Sequence, residues 1–281
     1  MKPLRSVAIV GVGLIGGSIG LALRKRNLAQ SVIGIGRRQE TLRIARRVGA
    51  LTSTTVELSK GVADAELIVV CTPVGRIVED VRAAAEHCRP DTLITDAGST
   101  KRTIVEALDD KLPRGCRFLG SHPLAGGVKA GPGNANADLF EGRVAIITPT
   151  RNTRAEDFDL LEDFWSSLGS MVMQMAADEH DRVLALTSHL PHAVAAVLAT
   201  MVPENFFRLT GAGFLDTTRV AAGDPELWEQ VFMANRENLV KVLRQYQGEL
   251  SGLASALAAG DEKKLHEILT RAKNNRNALG N

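Results

Sequence analysis

Three of the chain's six histidines fall in two related settings, Ser121-His122-Pro123 and Ser188-His189-Leu190-Pro191-His192. Imidazole is the side chain best suited to accept and return a proton near neutral pH. Upstream lies Gly11-Val12-Gly13-Leu14-Ile15-Gly16, directly after a β-branched run at 7–10 and before a helical stretch over 19–27. A G-x-G-x-x-G pattern between strand and helix marks a dinucleotide site. The first glycine permits a tight turn, the second admits a pyrophosphate, and the third lets helix and strand pack closely. The helix N-terminus offers free N–H groups to the phosphates. Gly11, Gly13, Leu14, Ile15 and Gly16 are therefore expected against the cofactor. A hydride carrier needs a partner for the accompanying proton, so histidine is expected to do acid–base work in a nicotinamide dehydrogenase.

The same fingerprint calls for an acidic residue at the end of the second strand to bind a ribose 2′-hydroxyl. Here the strand ends in Gly36-Arg37-Arg38. Glycine leaves room for a 2′-phosphate and a guanidinium can hold one, so NADP is expected over NAD. Arg37 is the expected clamp, with Arg38 at the solvent or adenine side. Thr72 and Pro73, at the end of the third strand, are expected beside the cofactor because ligands bind at strand C-termini in such sheets.

Ser99 follows the fourth strand, either as substrate ligand or as N-cap of the next helix. His122 is braced by Pro123. His189 and His192 share a helix face, and Pro191 between them should kink that helix beside a ligand cavity. Two such histidines can bind zinc, but no glutamate lies between them and no third ligand is evident, so no metal is expected. Arg219 offers a planar fork for a carboxylate, and Asp216 is placed to orient it.

The elements that must position these groups alternate. Strands are expected at 7–10, 31–35, 66–72, 92–96, 118–121 and 144–148, with helices at 19–27, 39–48, 75–87 and 101–112. This pattern implies βαβ units and a mostly parallel sheet. A helix (156–168) and a strand (171–175) follow. Beyond 178 only helical signals remain: 178–201, a stretch from Asp224-Pro225-Glu226 to about 257, and 261–273. The expected architecture is an α/β Rossmann-type domain (1–176) followed by an all-helical substrate and dimerisation domain (177–281). Residues 126–136, rich in Gly, Asn and Ala, read as a mobile loop beside the site.

Composition sets bounds. Apolar residues make up 44% and charged residues 23%, with 34 basic against 32 acidic residues for a net charge of +2. That balance gives no reason to expect a nucleic-acid or membrane partner. Cys71, Cys88 and Cys116 form no CxxC pair, which fits a soluble protein of the reducing cytoplasm.

GVGLIGGS, CTPV, DAGSTK, SHPLAG, SHLPHAVA and GFLDTTRVAAGDPELW, in this order over nearly the whole chain, resemble the prephenate/arogenate dehydrogenases of tyrosine biosynthesis. The resemblance implies NAD(P)-dependent oxidative decarboxylation of a cyclohexadienol, prephenate or arogenate, by a homodimer. It implies that His122 takes the hydroxyl proton with Ser99 on the same oxygen. Arg219 would hold a carboxylate, His192 with His189 behind it would line the side-chain pocket, and Lys129 would contact substrate. After SHPLAG many prephenate users continue Ser/Thr-Glu-Lys, whereas this chain has Gly127-Val128-Lys129, without the glutamate. Gly36-Arg37 resembles arogenate-preferring members. Competing readings are a β-hydroxyacid dehydrogenase or imine reductase, which share the two-domain plan, and a non-enzymatic NADP sensor. A β-hydroxyacid dehydrogenase would need a helix lysine that is absent near His189.

Overall fold

The computed structural model describes residues 2–127 and 129–280. It divides into two compact units, one ending at Asn235 and one starting at Arg236. The first unit begins with β1 (Leu4–Val10), α1 (Leu14–Lys25), β2 (Ala29–Ile35), α2 (Gln39–Arg47) and β3 (Ser53–Thr55). It continues with α3 (Leu58–Val62), β4 (Leu67–Val70), α4 (Ile77–His87), β5 (Leu93–Asp96), α5 (Arg102–Leu108) and β6 (Arg117–Phe118). These strands form a six-stranded parallel sheet in the order β3-β2-β1-β4-β5-β6. The order reverses between β1 and β4, and ligands bind such sheets at the strand C-termini flanking that switch. Central strands read as continuous apolar runs because both faces are covered. One face packs Ile9, Leu67 and Val69 with Ile19 and Leu23 of α1. The other packs Ala8, Ile68 and Val70 with Ile77 and Val81 of α4.

One expectation fails here. The segment expected as a single strand at 118–121 is two, because the chain leaves the sheet at Leu119. β7 (Gly120–Pro123), β8 (Val144–Thr148) and β9 (Met171–Gln174) form a separate three-stranded sheet, with β7 antiparallel to β8 and β9 parallel to it. The crossing is tight. A Cβ on Gly120 would lie 2.6 Å from Thr148 Oγ1, so only glycine passes there. Between β8 and β9, α6 (Ala155–Ser167) buries Phe164 and Trp165 in the first core. The β3–α3 unit was not anticipated, because three strand residues and a five-residue helix are too short for a periodic signal.

The expected helix over 178–201 is three segments: α7 (Ala177–Leu184), a π turn (Ala185–His189) and α8 (Leu190–Thr200). Pro191 sits in the first turn of α8 and lacks the N–H that an unbroken α-helix would use. The wider turn just before it absorbs that loss. By length and composition alone, Ala177–Thr200 is long and apolar enough to cross a membrane. It nevertheless carries His180, Asp181 and His189 on its buried face.

Beyond α8 come α9 (Ala212–Thr218) and α10 (Pro225–Ala234). Asp224 caps α10 by accepting the N–H groups of Glu226 and Leu227, with Pro225 at its first turn, as the sequence implied. The single stretch expected to about 257 is broken at Asn235, whose side chain is buried and hydrogen-bonded. The second unit contains α11 (Arg236–Ala258) and α12 (Glu262–Ala278), the latter capped by Asp261. Residues 124–127 and 129–131 are irregular. The loop's second half is fastened to α1, where Asn136 donates its N–H to Ser18 Oγ at 3.0 Å and Ala135 abuts Gly17.

Candidate active site

The nucleotide end follows from β1 and β4 lying side by side. Gly11 has φ +91°, and a Cβ there would sit 2.8 Å from the backbone of Cys71 and Thr72. Glycine is thus needed both for the turn and for the approach to Thr72-Pro73. A Cβ on Gly16 would meet the Gly11 carbonyl at 2.3 Å, which is the close helix–strand contact expected of the third glycine. Gly13 is different, since a Cβ there meets nothing within 4 Å. No packing inside the protein requires glycine at that position, so its bareness serves an approach from outside. α1, with Leu14 and Ile15 in its first turn, has no side-chain cap on its N-terminus. Thr72 Oγ1 is buried beside this turn, without a hydrogen-bond partner among the described residues. Bare backbone, uncapped N–H donors and an orphaned hydroxyl fit a dinucleotide pyrophosphate.

Gly36 follows β2 and has only Leu42 near its missing Cβ, at 3.3 Å. Arg37 and Arg38 are exposed, and among the described residues neither guanidinium has a hydrogen bond or ion pair.

The chemical end is organised by a buried polar network. The Asp96 carboxylate accepts N–H groups from Gly98 at 2.9 Å and Ser121 at 3.2 Å, and pairs with the buried Lys101 ammonium. Burial holds the Lys101 pKa below its ordinary value, against the pull of Asp96 and Asp181. Ser121 Oγ donates to the Asp96 carbonyl at 2.6 Å and accepts the Trp165 indole N–H at 3.0 Å. β7, which carries His122, is thereby fastened to the end of β5. Ser99 lies on the bend between Asp96 and Lys101 and is partly exposed. It does not cap α5. That helix has no local side-chain cap, and its Lys101 and Arg102 N–H groups are taken by the Asp181 carboxylate at 2.7 and 3.0 Å.

His122 is partly exposed, and its Nδ1 lies 2.9 Å from Nε2 of the fully buried His180. His180 Nδ1 lies 2.8 Å from Asp181 Oδ1. The two rings meet edge to face, with centroids 5.1 Å apart. Desolvation pushes the His122 pKa well below its ordinary value, and His180, Lys101 and His189 push the same way. His122 is therefore neutral at pH 7 and able to accept a proton.

His189 and His192 converge on the same region. The Asn235 side-chain N–H group donates to the Asp181 carbonyl at 2.6 Å and to His189 Nδ1 at 3.1 Å. Burial lowers the His189 pKa to about 4. His192 donates from Nδ1 to the Ser188 carbonyl at 3.0 Å and stacks on Trp228, with centroids 3.5 Å apart. Desolvation holds its pKa down, aided by the Arg219 guanidinium nearby. α10, which carries Trp228, packs against the loop after β4, where Gly75 N–H donates to Gln230 Oε1 at 3.3 Å.

The structure thus gathers His122, His189, His192 and Arg219, and sets Gly11 against Thr72. It does not join Asp216 to Arg219, for both are exposed and among the described residues no ion pair links them. Lys129 is exposed in the loop after β7. Sequence reading missed His180, Asp181, Lys101, Asp96, Asn235 and Trp228. The adjacent His180-Asp181 at a helix start carried a faint signal, because two polar residues there face an apolar stretch.

The family model "Prephenate dehydrogenase, nucleotide-binding domain" matches residues 19–174, and "Prephenate dehydrogenase, dimerization domain" matches 176–271. A cyclohexadienyl dehydrogenase of Zymomonas mobilis is 33% identical, over 99% of this chain and 97% of its own length. The crystal structure of Aquifex aeolicus prephenate dehydrogenase with hydroxyphenyl propionate and NAD+ superposes with a TM-score of 0.92 at 31% identity, covering 98% of each chain. Synechocystis arogenate dehydrogenase gives a TM-score of 0.81 at 28% identity, covering 98% of this chain and 99% of its own. The chain belongs to the prephenate dehydrogenase family.

Proposed function

We propose that this chain catalyses oxidative decarboxylation of a cyclohexadienol, with NADP preferred over NAD and arogenate over prephenate. The observation that carries the reading is a neutral, partly exposed His122 at the end of β7, hydrogen-bonded from behind by His180. Bound nicotinamide supplies the hydride acceptor. His122 holds the proton of the substrate hydroxyl, and Ser99 hydrogen-bonds the same oxygen. As hydride leaves the carbon and the proton passes to His122, the ring carboxylate departs as CO2 and the ring aromatises. Arg219 holds a carboxylate through its planar fork. His192, stacked on Trp228 with His189 behind it, lines the side-chain pocket, and Lys129 reaches substrate from the loop after β7.

NADP preference is supported by Gly36-Arg37-Arg38, where two unpaired guanidinium groups replace the ribose-binding acid. Gly36-Arg37, which resembles arogenate-preferring members, supports arogenate as the substrate. We further propose that the functional division falls near 176, that the enzyme is cytoplasmic, and that it is a homodimer through its helical part. The free thiols of its three cysteines support the compartment. Exposed apolar side chains on α11 and α12, including Tyr246, Leu250, Leu257 and Leu269, support the homodimer.

The test is turnover of prephenate and of arogenate, each with NAD and with NADP, read as reduced nicotinamide. Arogenate with NADP is expected to be fastest. No turnover in all four combinations would sink the proposal.

A further inference from the structure

We propose that His180, backed by Asp181, is a positioning residue that locks His122 in the tautomer protonated at Nδ1 and so presents the Nε2 lone pair to substrate. The inference rests on the reading of His122 as the base and adds how that base is oriented.

Asp181 already receives two backbone N–H groups, from Lys101 at 2.7 Å and Arg102 at 3.0 Å. Each of its two oxygens thus faces an N–H donor and acts as an acceptor. The His180 Nδ1 at 2.8 Å from its Oδ1 must therefore carry the proton. A neutral imidazole has one N–H, so His180 Nε2 is left as an acceptor. The atom facing it at 2.9 Å is His122 Nδ1, which must donate. One ring nitrogen of His122 is thus committed, and the other is bare.

The surrounding charges make this arrangement matter. Positive charge on His180 itself, on Lys101 of the β5–α5 turn (paired to Asp96) or on His189 of the π turn disfavours a charged His122, so His180 helps only as a neutral acceptor. Asp181 is the anion set against them, and it reaches His122 only through His180. When His122 takes a proton at Nε2, its Nδ1–H strengthens a bond into a chain ending on that carboxylate. The same logic orients and stabilises the histidine of a Ser-His-Asp triad, here with a second imidazole inserted. His180 touches neither substrate nor cofactor in this scheme.

Two variants and one direct observation test it. His180→Leu removes the acceptor, whereas His180→Gln offers a side-chain oxygen at comparable reach. The leucine variant is expected to lose about 10- to 100-fold in kcat with both KM values within about twofold of wild type. The acid limb of its kcat/KM profile should move from its wild-type position, because His122 Nδ1 has lost the ring it faces. Glutamine should restore most of the rate and return the limb. A leucine variant with wild-type kcat and an unmoved limb overturns the proposal, as does one that raises KM alone. Should leucine prevent folding, the 15N shifts of His122 in the native enzyme decide, with Nδ1 protonated and Nε2 bare expected. A proton on Nε2 would refute the tautomer assignment. Normal turnover in His122→Asn would instead remove the base reading while leaving that spectrum unchanged, so the two failures are distinguishable.

Discussion

The Asp181 carboxylate accepts the backbone N–H of Lys101 at 2.7 Å across 80 positions of sequence. One side chain at the start of α7 thereby caps α5 and holds His180 behind His122. The cap that Ser99 could have given locally comes from a distant helix instead, and among the described residues the Ser99 hydroxyl has no hydrogen-bond partner. The helical segment after β9 is in this sense part of the site's scaffold, since Asp181 of α7 fixes the element that follows β5.

The buried pair Lys101–Asp96 lies under this contact, with both side chains fully inaccessible. Breaking such a pair on one side leaves an uncompensated charge and costs roughly 3–5 kcal/mol. Lys101→Met is expected to lose that much stability by urea denaturation. Lys101→Met with Asp96→Asn should recover part of it, because the stranded charge is gone. A single variant as stable as wild type would show that Asp96 is compensated elsewhere.

His122→Asn removes the proton acceptor while keeping a polar side chain of similar reach. Turnover is expected to fall by about 10²–10⁴-fold, the usual span for a general base. NADP affinity, measured by fluorescence titration, should be unchanged, since the fingerprint turn is built from β1, α1 and β4. Near-normal turnover would take His122 out of the base role.

Legibility from sequence tracked the range of the interaction. The Gly11–Gly16 turn, strands β1, β2, β4 and β5 of the first sheet and the Asp224-Pro225 helix start are local patterns, and each appears where the residues implied. The second sheet was not legible, because the departure at Leu119–Gly120 depends on contact with Thr148, a residue far along the chain. The same holds for the network around Asp181. Nothing within ten residues of it reveals a cap on α5. His122 could be singled out from its neighbours, but its partner His180 could not.

Arg37 offers a sharper test of the cofactor. A charge-assisted bond to a 2′-phosphate contributes roughly 1.5–3 kcal/mol, equivalent to about 10- to 150-fold in affinity. Arg37→Ala should raise the KM for NADP by that range and leave the KM for NAD nearly unchanged. Equal effects on both cofactors, or none, would mean that Arg37 does not read the phosphate.

The second unit exposes Leu250 and Leu257 on α11 at 52% and 60% of their surface. If these face a second copy, Leu250→Glu with Leu257→Glu should shift light-scattering mass from dimer toward monomer at micromolar concentration. A wild-type monomer under those conditions would refute the homodimer.

Protonation of the buried histidines sets the acid stability. His189 is lowered to about 4, and His122, His180 and His192 are lowered as well, each chiefly by burial. A histidine depressed in the folded state binds its proton more readily when unfolded, so stability rises with pH through this range. The contribution is fully present above about 6.5, the ordinary value, and is lost as pH falls toward the folded value. For His189 alone the loss is roughly 2 kcal/mol at pH 5 and about 3 kcal/mol at pH 4. Urea midpoints measured at pH 7.5 and pH 5 should therefore differ clearly. His189→Asn keeps an acceptor for the Asn235 N–H group but cannot take the proton, so it should flatten part of that slope. An unchanged slope would place the acid sensitivity on His122, His180 and His192 instead, the three whose rings would still have to charge.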